Sequence, residues 1–246
     1  MGIWSDLRVL YHLNLKPIRG STQAERLEHF YSQQAEVYDV YREKLLLGRR
    51  ELIRQIEFPR GGVWVDFGGG TGRSLEFIGQ SLSELEKVYV VDLCPSLLAI
   101  ARRRVKSFGW TNVEIVHGDA TSFRPPEGYA DVVTFSYSLT MIPDWYLALE
   151  HARSLLRPGG KIAVVDFYHS RKYPGPMRSR HNWLTRTFWP VLLSRDNVFL
   201  SPDQLPYLEN KFTTLHISEG FAKIPYILLL KAPYYLYVGS KLPDEP

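Results

Sequence analysis

Short apolar runs alternate with helical stretches along most of the chain. Buried strands are predicted where Val, Ile, Tyr and Phe cluster, over residues 63–67, 87–92, 113–120, 131–137 and 161–166. A helix is predicted from Pro95, where apolar and basic side chains separate onto two faces. The aromatic stretch from Tyr226 to Gly239 is expected to supply closing antiparallel pairing. This order predicts an α/β fold, a Rossmann-like doubly wound sheet of seven strands, mostly parallel with an antiparallel last strand.

The first predicted strand runs directly into a glycine-rich turn. Glycines stand at Gly68, Gly70 and Gly72, and a helix is expected from about Arg73. Such a turn lets the backbone lie against a ligand, and the helix aims its first N–H groups at it. A dinucleotide fingerprint would need a glycine at position 73. The spacing therefore favours a nucleoside with an amino-acid tail, S-adenosylmethionine, over an ordinary strand-to-helix connection.

Acidic residues follow three of the predicted strands. Asp92 ends the second strand and is expected to accept both ribose hydroxyls of the cofactor. Asp119 ends the third strand, where its carboxylate can accept from the adenine amino group while the N–H of Ala120 serves a ring nitrogen. Acidic residues at the ends of three successive strands, all beside one glycine-rich turn, are hard to explain as core packing. We therefore predict a cofactor site that also includes the neighbouring strand-tip residues Asp66, Leu93 and Ser136.

Composition and charge narrow the class of protein. The 246 residues are 45% hydrophobic and 23% charged, which suits one soluble α/β domain. Cys94 is the only cysteine, so a disulfide within the chain is excluded and a reducing, cytoplasmic location is expected. The seven histidines have no metal-ligand spacing, so no metal site is assigned. No apolar run approaches the length of a membrane span.

The net charge of +4 is modest, but cationic residues gather after the fifth strand. That stretch also contains a predicted helix rich in Trp, Phe and Leu, which Pro190 is expected to break. One reading is a solvated loop. The other is a patch for an anionic lipid surface or a substrate carboxylate, with Arg178 and Arg180 as the first choices. Long aliphatic runs make nucleic acid a less favoured partner.

Further segments make the comparison with known families specific. They lie at 11–13, 16–20, 25–27, 30–31, 38–42, 136–145, 188–190, 200–203, 205–208 and 233–239. With these segments the chain resembles the methyltransferase half of betaine-lipid synthase, the diacylglyceryl-homoserine N-methyltransferase family, over almost its whole length. The resemblance implies a class I methyltransferase domain at 51–246 with a lipid-facing insertion at about 168–210. An N-terminal helical arm at 1–50 is expected to cover the cofactor.

The activity implied by the resemblance is three methyl transfers from S-adenosylmethionine to the amine of diacylglyceryl-homoserine, giving a betaine lipid. In some organisms this half is fused to the enzyme that attaches homoserine, so a separate homoserine-transferring enzyme is an expected partner. The protein is expected to associate peripherally with a membrane. Two other functions stay open. The protein could methylate another hydrophobic acceptor, such as a quinone precursor or phosphatidylethanolamine, or it could be a non-catalytic cofactor-binding partner in a lipid-synthesis complex.

Candidate residues for the reaction follow from this reading. Asp144 and His169 are candidate proton acceptors, although solvent can also receive the proton. Tyr137 and Trp145 are placed to form an aromatic wall for the methylated ammonium, with simple packing as the alternative. The arm is expected to bring three residues over the cofactor, with plain helix packing as its alternative role: Tyr31, Tyr38 and Arg42.

Overall fold

A seven-stranded sheet forms the centre of the computed structural model, which describes residues 20–32, 45–223 and 230–242. Its order is β3-β2-β1-β4-β5-β7-β6. Strands β1 to β5 run parallel, and β7 runs antiparallel to both of its neighbours. The predicted fold class is confirmed. The strands are β1 (Val63–Phe67), β2 (Lys87–Asp92), β3 (Val113–His117), β4 (Ala130–Ser136), β5 (Leu156–Phe167), β6 (Thr213–Lys223) and β7 (Lys231–Ser240).

The strand order reverses between β1 and β4, because the chain moves outward from β1 to β3 and then returns to the other side of β1. At such a reversal the loops at the carboxyl ends of the two central strands diverge and leave a crevice. The helices are α1 (Gln23–Tyr31), α2 (Arg49–Arg54), α3 (Leu75–Ile78), α4 (Pro95–Phe108), α5 (Trp145–Leu155), α6 (Trp183–Ser194) and α7 (Gln204–Lys211).

The core lies on both faces of the sheet. Along β1 every residue is buried, and successive side chains enter opposite layers. Trp64 faces one layer, where its indole N–H donates to Thr134 Oγ1 at 2.8 Å. Val65 and Phe67 face the other layer. Burial on both sides explains why the central strands are continuous apolar runs.

The helix expected from about Arg73 begins instead at Leu75 and has only four residues. Ser74 precedes it with its hydroxyl directed to the carboxylate of Asp66. The residues up to Ser74 therefore extend the glycine turn rather than the helix.

The prediction that Pro190 breaks its helix is wrong, since α6 runs from Trp183 to Ser194 with the proline inside. A proline removes one intrahelical hydrogen bond. Trp189 is buried beside it, and Leu192 and Leu193 pack against the same core layer, which holds the last turn in place.

Within the described ranges, no helix is long and apolar enough to cross a membrane. The predicted cofactor residues Tyr38 and Arg42 lie outside those ranges, as does most of the arm at 1–50.

Candidate active site

A cavity of about 240 Å³ opens at the carboxyl ends of β1, β2 and β4, in the crevice left by the reversal of strand order. Helix α1 and the segment after β4 complete its walls. The cavity brings together ten of the residues predicted from sequence. They are Tyr31, Gly68, Gly70, Asp92, Leu93, Asp119, Ala120, Ser136, Tyr137 and Asp144.

The glycine turn forms the floor of the cavity. Gly68 has a φ of +64°, and a Cβ there would lie 2.3 Å from Cβ of Ser138. Only glycine permits this approach between the turn and the segment after β4. Gly70 also has a positive φ, and its N–H donates to Asp92 Oδ2 at 2.9 Å. Gly72 is not among the described lining residues; its N–H donates to Gly69 and closes the turn.

Asp92 is fixed by three backbone donors, the N–H groups of Gly70, Leu93 and Cys94. Its Oδ1 accepts from the N–H of Cys94 at 2.8 Å, while Oδ2 accepts from Gly70. Burial raises the pKa of this carboxyl against the effect of those hydrogen bonds. A carboxylate accepts about four hydrogen bonds, so the side chain keeps acceptor capacity toward the cavity. The arrangement suits a pair of ribose hydroxyls.

Asp119 and Ala120 lie at the tip of β3. Oδ1 of Asp119 accepts from the N–H and the hydroxyl of Thr121, at 2.8 and 2.7 Å. These bonds fix the side chain through one oxygen and leave the other for a ligand. Ala120 is buried, and Leu93 lines the same wall from the end of β2. The three residues suit the planar, partly polar adenine ring.

Ser136 supplies a direct sign that a polar ligand belongs here. Ser136 lines the cavity, and its hydroxyl oxygen is buried and, within the described part of the chain, has no hydrogen-bond partner. Leaving a buried hydroxyl unsatisfied costs about 1–3 kcal/mol. A ligand that reaches Ser136 would remove this cost. The unsatisfied hydroxyl beside the cavity therefore fits a polar group of the expected cofactor.

Asp66 does not belong to the cavity wall as the described residues define it. Its carboxylate is buried beneath the turn, where it accepts from Thr134 Oγ1 at 2.5 Å and from the hydroxyl of Ser74. Burial raises the pKa of Asp66 to about 6. The geometry therefore gives Asp66 a supporting position under the glycine turn, without contact to the cavity.

Helix α1 closes one side of the cavity through Gln23, Leu27 and Tyr31. Its Thr22 and Glu25 form a capping box, so the helix start is readable from the sequence. Gln23 Nε2 donates to the carbonyl of Met141 at 2.5 Å, and the hydroxyl of Tyr31 lies 2.9 Å from the Met141 sulfur. The helix is thereby joined to the opposite wall.

The segment after β4 forms that wall. Tyr137 has a φ of +55°, which is rare for a bulky residue and typical of functional sites. Its hydroxyl donates to the carbonyl of Leu47 at 2.7 Å, and burial raises its pKa well above the usual value. A hydroxyl so engaged is a poor proton acceptor. Tyr137 therefore contributes its ring and its shape to the cavity.

A buried carboxyl holds this wall from behind. Asp166, at the end of β5, accepts from Thr140 N–H at 3.1 Å and from its hydroxyl at 2.7 Å. Thr140 belongs to the short 3-10 turn Leu139–Met141. Burial raises the pKa of Asp166 to about 7. Sequence reasoning missed this support and several lining residues: Gln23, Leu27, Val91, Leu97, Gly118, Thr121, Ser138, Met141, Ile142, Pro143 and Leu147.

Asp144 lines the cavity and precedes α5. In the described structure its side chain makes no capping bond to that helix, so its carboxylate remains available to a ligand. Trp145 follows it but packs edge-on against Tyr207, with ring centres 5.5 Å apart. Trp145 is thus directed to the core, and the packing alternative holds in this structure.

Three other predicted residues lie apart from the cavity wall that the described residues form. His169 follows β5 and is half-buried, which lowers its pKa, and its ring lies against the Ser170 carbonyl. Arg178 donates twice to Glu209, at 2.9 and 2.7 Å. Arg180 lies over the ring of Tyr173. The fold therefore gives no support to His169 as proton acceptor, or to either arginine as a carboxylate ligand at this site.

Comparisons with known proteins agree with this geometry. A model of the ubiE/COQ5 methyltransferase family matches residues 20–194. The chain is 26% identical over 248 residues to the ubiquinone/menaquinone biosynthesis C-methyltransferase UbiE of Escherichia coli, covering 94% of this chain and 96% of that protein.

Two solved structures share the fold at low sequence identity. One is a methyltransferase from Bacillus halodurans C-125 of unestablished activity, with a TM-score of 0.63 and 16% identity, covering 79% of this chain and 99% of the other. The second is the N-methyltransferase NodS of Bradyrhizobium japonicum with bound S-adenosylhomocysteine, with a TM-score of 0.57 and 13% identity, covering 78% and 85%.

Proposed function

We propose that this chain, which belongs to the ubiE/COQ5 methyltransferase family and is an S-adenosylmethionine-dependent methyltransferase, methylates the amine of a lipid with a homoserine headgroup. The substrate would be diacylglyceryl-homoserine, and three transfers would give diacylglyceryl-N,N,N-trimethylhomoserine. The family and the cofactor are established by the comparisons, whereas the acceptor is our proposal.

The observation that carries this proposal is the location of one segment. Residues 136–145 account for much of the resemblance to the betaine-lipid methyltransferases. Seven of its first nine residues line the cavity opposite the tips of β2 and β3. They are Ser136, Tyr137, Ser138, Met141, Ile142, Pro143 and Asp144. With the nucleoside at Asp92 and Asp119, the acceptor has to approach along this wall. This location supports the proposal, since residues of the segment that carries the resemblance would lie beside the acceptor.

The chemistry needs few groups. When bound, the cofactor supplies a methyl group on a positively charged sulfur. The acceptor nitrogen forms a bond to the methyl carbon as the carbon–sulfur bond breaks, and positioning supplies much of the acceleration. The nitrogen must be neutral to attack, so a proton must leave it after each of the first two transfers, and before the first transfer as well when the amine arrives as an ammonium. Asp144 is the lining carboxylate best placed to receive it or to stabilise the ammonium.

Aromatic side chains on two walls suit the growing charge. Tyr31 on α1 and Tyr137 after β4 both line the cavity. The face of a tyrosine ring attracts a methylated ammonium by about 0.5–2 kcal/mol. Because each transfer adds a methyl group to the same nitrogen, this attraction favours retention of the partly methylated amine. A lipid amine can therefore be methylated repeatedly at one site.

The second candidate function is C-methylation of a quinone precursor. It is favoured by the name of the Escherichia coli relative, which covers almost the whole chain at 26% identity. A quinone precursor has no amine, so Asp144 would instead receive a proton from the ring carbon or its hydroxyl group. Both candidates are hydrophobic acceptors and both are compatible with the cavity.

The deciding experiment supplies both acceptors to one preparation. The purified protein is incubated with methyl-labelled S-adenosylmethionine and detergent-dispersed diacylglyceryl-homoserine, or with a demethylated quinone precursor, and the products are read by mass spectrometry. The proposal expects additions of one, two and three methyl groups to the homoserine lipid. Methylation of the quinone precursor alone would overturn it. The Asp92→Ala variant serves as the control, since it should lose both activities.

A further inference from the structure

Helix α6 buries one side and exposes an apolar face on the other. Trp189 is 4% exposed and packs into the core. In contrast, four large apolar side chains of the same helix project outward, which we call the α6 outer face. They are Trp183, Leu184, Phe188 and Val191, with exposures of 71, 64, 42 and 58%. Such a contiguous apolar surface on a protein usually marks an interaction site.

The shape of this face excludes a small ligand. The described residues around its groove all come from α6 and the next residue, Arg195, so no second element of the described chain encloses it. Small molecules need concave sites that bury most of their surface. A helix that presents an open apolar side to its surroundings instead suits a broad, flat partner.

The charge around α6 points to the chemistry of that partner. Between Asp166 and Asp196 the sequence contains six cationic residues and no acidic residue. Arg171 and Arg178 pair with Asp203 and Glu209. The other four are Lys172, Arg180, Arg186 and Arg195, and within the described ranges none of them forms an ion pair with a carboxylate.

Three of these cations flank α6 along the chain, since Lys172 and Arg180 precede it and Arg195 follows it. Arg195 lines the same groove as Trp183 and Phe188. Lys172 and Arg180 lie 5.4 and 5.7 Å from the ring centre of Tyr173, which is 73% exposed in the segment between β5 and α6. Cationic residues on both sides of an apolar helix along the chain are complementary to a bilayer with negatively charged headgroups.

We propose that the α6 outer face docks on a bilayer containing anionic lipids, with α6 lying in the interface. The segment after α6 is joined to the cavity wall, because the N–H of Phe199 donates to the carbonyl of Thr140 at 2.7 Å. Docking would therefore hold the cavity next to a membrane. Docking of the α6 outer face does not depend on the proposed reaction. It is expected with any membrane-borne acceptor, and also on vesicles that contain no acceptor.

Flotation with vesicles tests the surface directly. Wild-type protein is mixed with phosphatidylcholine vesicles, with or without about a third of phosphatidylglycerol, at low and high salt. We expect binding to the anionic vesicles that weakens with salt. Removing Arg180 and Arg195 together should lower the affinity about fivefold for each charge. Binding that is absent at low salt, or indifferent to salt, would overturn the proposal.

Variants separate the apolar face from general charge. Trp183→Ser with Phe188→Ser should reduce binding at least about tenfold. Phe108→Ser removes a similarly exposed aromatic residue from α4 and should leave binding unchanged. Calorimetric affinity for S-adenosylhomocysteine should be the same in all variants. As a check that needs no substitution, brominated lipids should quench the tryptophan fluorescence of the wild-type protein. A salt-resistant dimer in light scattering that Trp183→Ser abolishes would instead assign the face to a second copy.

Discussion

The carboxylate of Glu28 on α1 caps the N-terminus of α4 by accepting from the N–H of Ser96 at 3.1 Å. The Ser96 hydroxyl and the Cys94 thiol donate to the same carboxylate. Although burial acts to raise the pKa of Glu28, these hydrogen bonds lower it below its usual value. The bond joins the helix that covers the cavity to the helix that follows β2. Helix α1 is thereby attached on both sides of the cavity, since Gln23 reaches Met141 on the other.

The first prediction concerns this attachment. In Glu28→Ala, α1 should lose its hold on α4, and the cavity should lose the fixed positions of Gln23, Leu27 and Tyr31. A hydrogen bond to a charged group is worth about 1.5–3 kcal/mol. We expect the dissociation constant of S-adenosylmethionine, measured by calorimetry, to rise about tenfold. Glu84→Ala, which removes an exposed pair with Arg60, should have no effect. Equal affinity in both variants would show that α1 does not hold the cofactor.

The second prediction concerns the ribose. Asp92→Ala should weaken cofactor binding by roughly 1–3 kcal/mol, because the ribose hydroxyls and the N–H groups of Gly70 and Cys94 lose their acceptor. Calorimetry with S-adenosylhomocysteine gives the affinity. Asp203→Ala, a change at an exposed carboxylate, is the matched control. Unchanged affinity in Asp92→Ala would remove the ribose assignment.

The fold and the cofactor side of the cavity were predictable because their signals are local. Apolar runs ending in Asp92 or Asp119 mark strands and their tips within a few residues. The glycine spacing at 68, 70 and 72 marks the turn in the same way. Parallel strands then bring these tips to one edge of the sheet without further information.

The remaining features depend on contacts between residues distant in sequence. Glu28 meets Ser96 across 68 positions, and Arg178 meets Glu209 across 31. Neither pairing leaves a periodic pattern in the chain. The same limit explains Asp66, whose place at a strand end resembles that of Asp92. Only the fold shows that its carboxylate is directed beneath the turn to Thr134.

The third prediction concerns proton transfer to Asp144. If this carboxylate receives the amine proton, Asp144→Asn should lower kcat on the order of a hundredfold while leaving cofactor affinity unchanged. Asp144→Glu should recover part of the activity because it restores the acceptor. Steady-state kinetics on the homoserine lipid provide the measurement, with Asp203→Asn as control. Wild-type kcat in Asp144→Asn would indicate that solvent takes the proton.

The fourth prediction concerns the stability of the ligand-free protein against pH. Burial raises the pKa of Asp166 from its ordinary value of 3.8 to about 7. Between these values the folded protein keeps a proton that the unfolded chain has released. The free energy of unfolding should therefore fall as pH rises from about 4 to about 7. Asp66, with a pKa raised to about 6, acts in the same direction over a narrower range.

Replacing Asp166 isolates its share of that slope. Urea unfolding of Asp166→Asn between pH 4.5 and 7.5 should show a flatter dependence, with the residual slope due to the other groups whose pKa is shifted, Asp66 and Asp92 among them. The change should reach on the order of a few kcal/mol across the window, since each unit of pKa shift corresponds to about 1.4 kcal/mol. Asparagine also loses acceptors for Thr140 and Phe167, so absolute stability should fall at every pH. The slope is therefore the decisive readout. Asp203→Asn should keep the wild-type slope, and an equally steep slope in Asp166→Asn would mean that Asp166 is already ionised in the folded protein.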